Sequence, residues 1–164
     1  MRFKITLKQQ LLMILPLIVK NGILFGIYFY FFSFKFSSSF YTYILFFIIL
    51  FDILPTILLH IQYLMKNRGV ILDINKDIGI FIYNSPLRVL KYSFSDINTV
   101  QHFASFGGGT GVYSFGEYRY FKIIFNDKVE VIVTCLMVNN IKITLQNLLG
   151  VEAEKRLKVI AFIY

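Results

Sequence analysis

Tyr63-Leu64-Met65-Lys66-Asn67-Arg68-Gly69-Val70 is where the chain changes character. Before it, Met1–Met65 holds six charged residues and the longest apolar runs; after it, Lys66–Tyr164 holds twenty. Taken whole, the chain is 57% hydrophobic and 16% charged, against roughly 45–50% and about 25% in an average soluble domain. This excess, concentrated in one half, excludes a single water-soluble globule, intrinsic disorder and a secreted disulfide scaffold. Cys135 is the one cysteine, so no intrachain disulfide or multi-cysteine zinc site exists.

Upstream of the junction, two stretches reach the roughly 20 residues that a bilayer demands. They are Leu11–Phe34, interrupted by Lys20-Asn21-Gly22, and Phe40–Met65, interrupted by Asp52 and Pro55. The short Lys35–Ser39 segment between them suits a hairpin turn, with Tyr28, Tyr30, Tyr41 and Tyr43 near it as an interfacial belt. A cleaved signal peptide is the competing reading of the basic N-terminus, but the first alanine is Ala104 and a second span follows at once. The expectation is a transmembrane hairpin over residues 1–65, spans about 11–34 and 40–65. Arg2, Lys4, Lys8, Lys66 and Arg68 flank the spans, against Lys35 alone in the turn. Positive charge then puts both termini in the cytoplasm, which fits an unpaired cysteine.

Lys20 and Asp52 interrupt the spans at matching depth, about 21 and 18 Å from the turn at 1.5 Å per residue. Charges inside a span usually pair or line a polar path. A Lys20–Asp52 contact with Asn21 as third member is therefore expected, and exchanging the two charges should restore part of what either single change loses. The alternative for Lys20 is to snorkel to the interface.

Downstream, strands alternate with turn signals: Val70–Ile74, Ile78–Tyr83, Arg88–Phe94, Thr99–Phe106, Tyr118–Phe125 and Lys128–Leu136. Across Asn126-Asp127, a two-residue turn would mix charged and apolar residues on both faces. One extra residue pairs Phe125 with Val129, Ile123 with Val131 and Phe121 with Val133, leaving Lys122, Glu130, Tyr120 and Thr134 for water. Val138, Ile141, Leu145 and Leu148 recur at helical spacing between Asn139-Asn140, an N-cap signal, and Gly150, a stop. The tail Val151–Tyr164 runs from acids to bases and suits either a helix or a strand. The fold class read here is an α+β membrane protein: a two-helix hairpin, then over residues 66–164 a small antiparallel barrel or sandwich capped by a helix.

This element order, the Tyr63–Val70 junction and the Tyr92-Ser93-Phe94-Ser95-Asp96-Ile97 segment resemble bacterial two-span membrane proteins with a pleckstrin-homology-like domain. The resemblance implies a tethered binding scaffold. Phosphoinositide-binding relatives carry several basic residues around the first hairpin loop, where this chain offers Lys76 beside Asp77, so headgroup recognition does not carry over.

Catalytic signals are missing. Gly107-Gly108-Gly109-Thr110-Gly111 lacks the following Lys-Ser/Thr and helix of a phosphate loop, and reads as a barrel loop that is at most a contact site. His60 and His102 have no metal spacing, and Cys135 reads as a small buried hydrophobe. Arg88, Lys91, Arg119 and Lys122 are a candidate basic surface, set against ordinary solvated charge. No cofactor, metal or nucleic acid is expected; the partners are the bilayer and an unidentified protein, with a homo-oligomer open. The favoured function is a non-catalytic interaction module on the cytoplasmic face of a bacterial inner membrane. The alternatives are an immunity or stress protein acting on a toxin or pore, and an accessory subunit of a transporter or lipid-handling complex.

Overall fold

The computed structural model describes residues 1–32, 39–105, 113–138, 141–150 and 152–163. Its first element is one the sequence reading lacked: a three-residue strand, β1 (Arg2–Lys4). Helix α1 (Leu7–Phe32) follows after two residues, opened by a reciprocal cap in which Gln9 N–H donates to Thr6 Oγ1 and Thr6 N–H donates to Gln9 Oε1. The second arm comprises α2 (Ser39–Ile48), a π-helical segment (Ile49–Ile53) and α3 (Leu54–Asn67). Pro55 accounts for the π segment: it cannot donate, its ring crowds the carbonyl four residues back, and the helix widens ahead of it.

Two four-stranded sheets make up the rest. In the first, the order is β1, β2 (Ile71–Asn75), β3 (Ile80–Asn84), β4 (Val89–Ser93), all antiparallel. In the second it is β7 (Glu130–Thr134), β6 (Arg119–Phe125), β5 (Ile97–Ser105), β8 (Glu154–Lys158). They do not close into a barrel. A turn at Phe94–Asp96, fixed by a Ser93/Asp96 capping box, carries the chain from one sheet to the other. Helix α4 (Ile141–Leu149) supplies Ile141, Leu145 and Leu148 to the core and stops at Gly150, whose φ of 65° a glycine adopts without strain. Asn139-Asn140 and the Gly107–Gly111 loop lie outside the described residues.

Alternation sets the core. Leu72 and Ile74 of β2, Phe81 of β3, and Phe121, Ile123 and Phe125 of β6 are buried together with Val131 and Val133 of β7. The β6–β7 register has the extra residue: Phe121 pairs with Val133, Ile123 with Val131, and Phe125 N–H bonds Val129 O, with Lys128 left-handed at φ 66°.

The opposite face corrects the reading above. Lys122 and Glu130 face outward and pair at 2.7 Å, but Tyr120 and Thr134 are buried. Two elements cover them. Tyr120 meets Tyr63 of α3 edge-on, and its hydroxyl donates to Phe162 O of the tail; Thr134 N–H donates to Asn67 at the end of α3. The tail is a strand, not a helix, and β8 runs parallel to β5.

Candidate functional site

Asp52 is 6% exposed, and its carboxylate gathers donors from two segments of chain. From α1, Lys20 Nζ lies 3.1 Å from Oδ2 and Asn21 Nδ2 3.4 Å from the same oxygen. From the Ser114–Glu117 turn, Ser114 N–H donates to Oδ1 at 2.6 Å and Ser114 Oγ to Oδ2 at 2.9 Å. Asn21 also donates to Leu17 O, one turn back, and Thr56 Oγ1 donates to Asp52 O across the widened helix. A carboxylate accepts at two oxygens with about four lone-pair sites; here Oδ2 meets Lys20, Asn21 and Ser114 Oγ, and Oδ1 accepts from Ser114 N–H. The structure thus brings Lys20, Asn21 and Asp52 together and adds Ser114, which ties both helices to the β portion.

Below this level α3 is fastened by side-chain amides. Asn67, fully buried, donates to Ile132 O at 2.9 Å and accepts from Thr134 N–H at 3.1 Å, so its amide continues the ladder along β7. Gln62 does the same for the tail, donating to Ile163 O and accepting from Ile163 N–H. Between them Tyr63 donates to Ala161 O, and His60 Nδ1 meets Tyr118 Oη at 2.9 Å. On α1, Gln9 donates to Met137 O. Ser114, Asn67, Gln62 and Gln9 all escaped the sequence reading. Only Gln9 left a signal there, in the Thr6-Leu7-Lys8-Gln9 capping pattern.

The four candidate basic residues divide between the sheets. Arg88 precedes β4 and Lys91 lies within it; Arg119 and Lys122 are on β6, where they pair with Glu117 at 3.4 Å and Glu130 at 2.7 Å. Among the described residues, no group of three or more His, Cys, Asp or Glu is placed to hold a metal ion. Cys135 is enclosed, and burial pushes its thiol up to about 12, so a thiolate nucleophile is not available there. His102 is 4% exposed and stacked on Phe121; burial first, then the charges of Arg119, Lys142 and Lys155, hold it down at about 4. It is therefore neutral near pH 7.

The sequence profile of a family described as a PH domain matches residues 2–145. The chain belongs to the PH-domain family. That match begins at β1 and runs through both helices into α4, so the helical arms fall inside the matched region. No curated protein and no solved structure matches the chain. The helices interrupt a sheet between two strands, β1 and β2, that pair directly.

Proposed function

We propose that the chain is a membrane-anchored interaction module, with its helical hairpin crossing a bacterial inner membrane. Its PH domain is then held at the cytoplasmic face to bind a protein or peptide without catalysis. One observation supports the anchoring most. Leu7–Ile27 and Thr42–Asn67 are long and apolar enough to cross a bilayer, and their most apolar windows are only 11% and 17% buried within the protein. The core helix of a soluble protein would be mostly buried. Here Leu11, Leu15, Ile18, Phe47, Phe51 and Leu58 are instead bare, and water is a poor solvent for so large a face. A cleaved signal sequence fits poorly as well, since cleavage after the first helix would strip β1 from its pairing with β2.

The direct pairing of β1 with β2 supports a reading in which both helix ends that meet the β portion lie on the same face of the membrane. The test is thiol accessibility in a Cys135→Ala background. Ser38→Cys should react with an impermeant reagent added outside, once any outer membrane is opened. Lys76→Cys, in the exposed β2–β3 turn, should react only after the inner membrane is breached. The reverse pattern overturns the orientation, and reaction of both from outside overturns the anchor. Asn67 is unsuitable as the inner site because its side chain is locked in the core.

A further inference from the structure

The groove between the hairpin and the Ser114–Glu117 turn has a volume of about 350 Å³. Leu24 of α1, Phe47 and Phe51 of the second arm, and Tyr113 form its walls, with Lys20 and Asp52 at one end. Phe47 and Phe51 are 55% and 56% exposed, and Tyr113 stacks on Phe115 with its outer face open. We propose that this groove is lipid-facing, occupied by an acyl chain of the near leaflet, and that the Tyr113–Gly116 edge of the PH domain lies at hydrocarbon depth. The proposal rests on the membrane reading above.

Depth carries the argument. With Phe32 and Ser39 as the far ends of the helices, Lys20 and Asp52 lie about 18 and 20 Å from them at 1.5 Å per residue. The hydrocarbon core is about 30 Å thick. With those far ends at the opposite boundary, Asp52 lies about 10 Å inside the near one, and the exposed apolar Ile57, Leu58 and Ile61 beyond it occupy that depth. Ser114 cannot be elsewhere, because its N–H and hydroxyl are bonded to that carboxylate at 2.6 and 2.9 Å. The PH domain must then enter the leaflet at this edge.

Composition agrees. No Asp, Glu, Lys or Arg occurs between Asp96 and Glu117, and that first charge, Glu117, is paired with Arg119. Ser114, Phe115 and Gly116 are themselves buried. Polar groups at this depth are tolerated only when satisfied within the protein; Asp52 and the Ser114 donors satisfy one another.

The chain contains no tryptophan, so each Tyr113→Trp, Leu24→Trp, Phe46→Trp or Leu87→Trp variant reports one position. Each is reconstituted in phosphatidylcholine–phosphatidylglycerol vesicles carrying bromine midway along one acyl chain. Phe46 is exposed on α2 and lies outside the groove lining, so it reports on the anchor alone. Tyr113→Trp and Leu24→Trp, both in the groove, should lose fluorescence to bromolipid as strongly as Phe46→Trp and resist aqueous acrylamide. Leu87→Trp, at a 96% exposed site, should do the opposite. If Phe46→Trp is quenched by bromolipid while either groove variant is quenched by acrylamide, the groove opens to water and this inference falls, with the anchor intact. If Phe46→Trp is itself quenched by acrylamide, the anchor falls and the inference with it. The second groove variant decides the matter should one fail to fold.

Discussion

Charge exchange at Lys20 and Asp52 separates a simple ion pair from the arrangement the structure shows. In Asp52→Ala, Ser114 N–H loses its acceptor, which costs about 1–3 kcal/mol when buried, and the Lys20 ammonium loses its counter-charge. Together these approach the about 3–5 kcal/mol of a broken buried pair. Lys20→Met is milder: the carboxylate keeps both Ser114 donors and Asn21, and Lys20 is 32% exposed, so about 1–2 kcal/mol is expected after discounting for solvent. Exchanging the two (Lys20→Asp with Asp52→Lys) restores opposite charges. However, an ammonium has only donors, and at position 52 it faces the Ser114 N–H. The exchange should improve on Asp52→Lys yet remain less stable than Lys20→Met. Thermal unfolding in detergent micelles reads this order at about 2–4 °C per kcal/mol for a chain of this size, with membrane accumulation alongside. If the exchanged protein matches wild type, or Asp52→Ala is no worse than Lys20→Met, Ser114 contributes nothing and the reasoning fails.

Three further outcomes follow from the same contacts. Asn67→Leu should cost about 2–4 kcal/mol, since Ile132 O and Thr134 N–H both lose their partner; a urea midpoint unchanged from wild type would contradict the amide's place in the ladder. Gly69→Ala should be worse than Gly150→Ala: both sit near φ +70°, but a Cβ at Gly69 would lie 2.9 Å from Pro86 Cγ while Gly150 has open space. Equal unfolding midpoints for the two would show that the Pro86 contact relaxes freely. His102 is depressed in the fold, so stability is full above its ordinary 6.5 and declines as pH falls toward about 4, by up to about 1.4 kcal/mol per unit. His102→Phe, which keeps the stacking on Phe121, should flatten that decline in urea titrations at stepped pH; an unaltered slope would place its origin elsewhere.

What could be read from the sequence was what periodicity and length govern. The β6–β7 register was legible because one wrong residue would have turned Lys122 inward. The Lys20–Asp52 contact was legible because a hairpin converts sequence offset into depth. Ser114 was not: it lies 62 residues from Asp52, and a lone serine in an uncharged stretch announces no partner. Alternation identifies a face but not what lies on it, so by itself it leaves Tyr120 and Thr134 to water. Their cover comes from α3 and from a tail whose charge order suited a helix as well as a strand. Strand β1 was invisible for a simpler reason: three residues carry no period, and their pairing with Leu72 and its neighbours exists only after the helices have returned.

That return has a mechanical consequence. A domain on a single linker swivels about it. Here the chain leaves the first sheet through Ile5-Thr6 and re-enters through Arg68-Gly69-Val70, so the two arms grip neighbouring strands at two points. A tilt or piston movement of one helix against the other cannot be absorbed by rotation. It must shear β1 along β2, or break the Ser114 bonds to Asp52. The hairpin and the sheet thus move as one lever, and a force applied to one end is felt at the other.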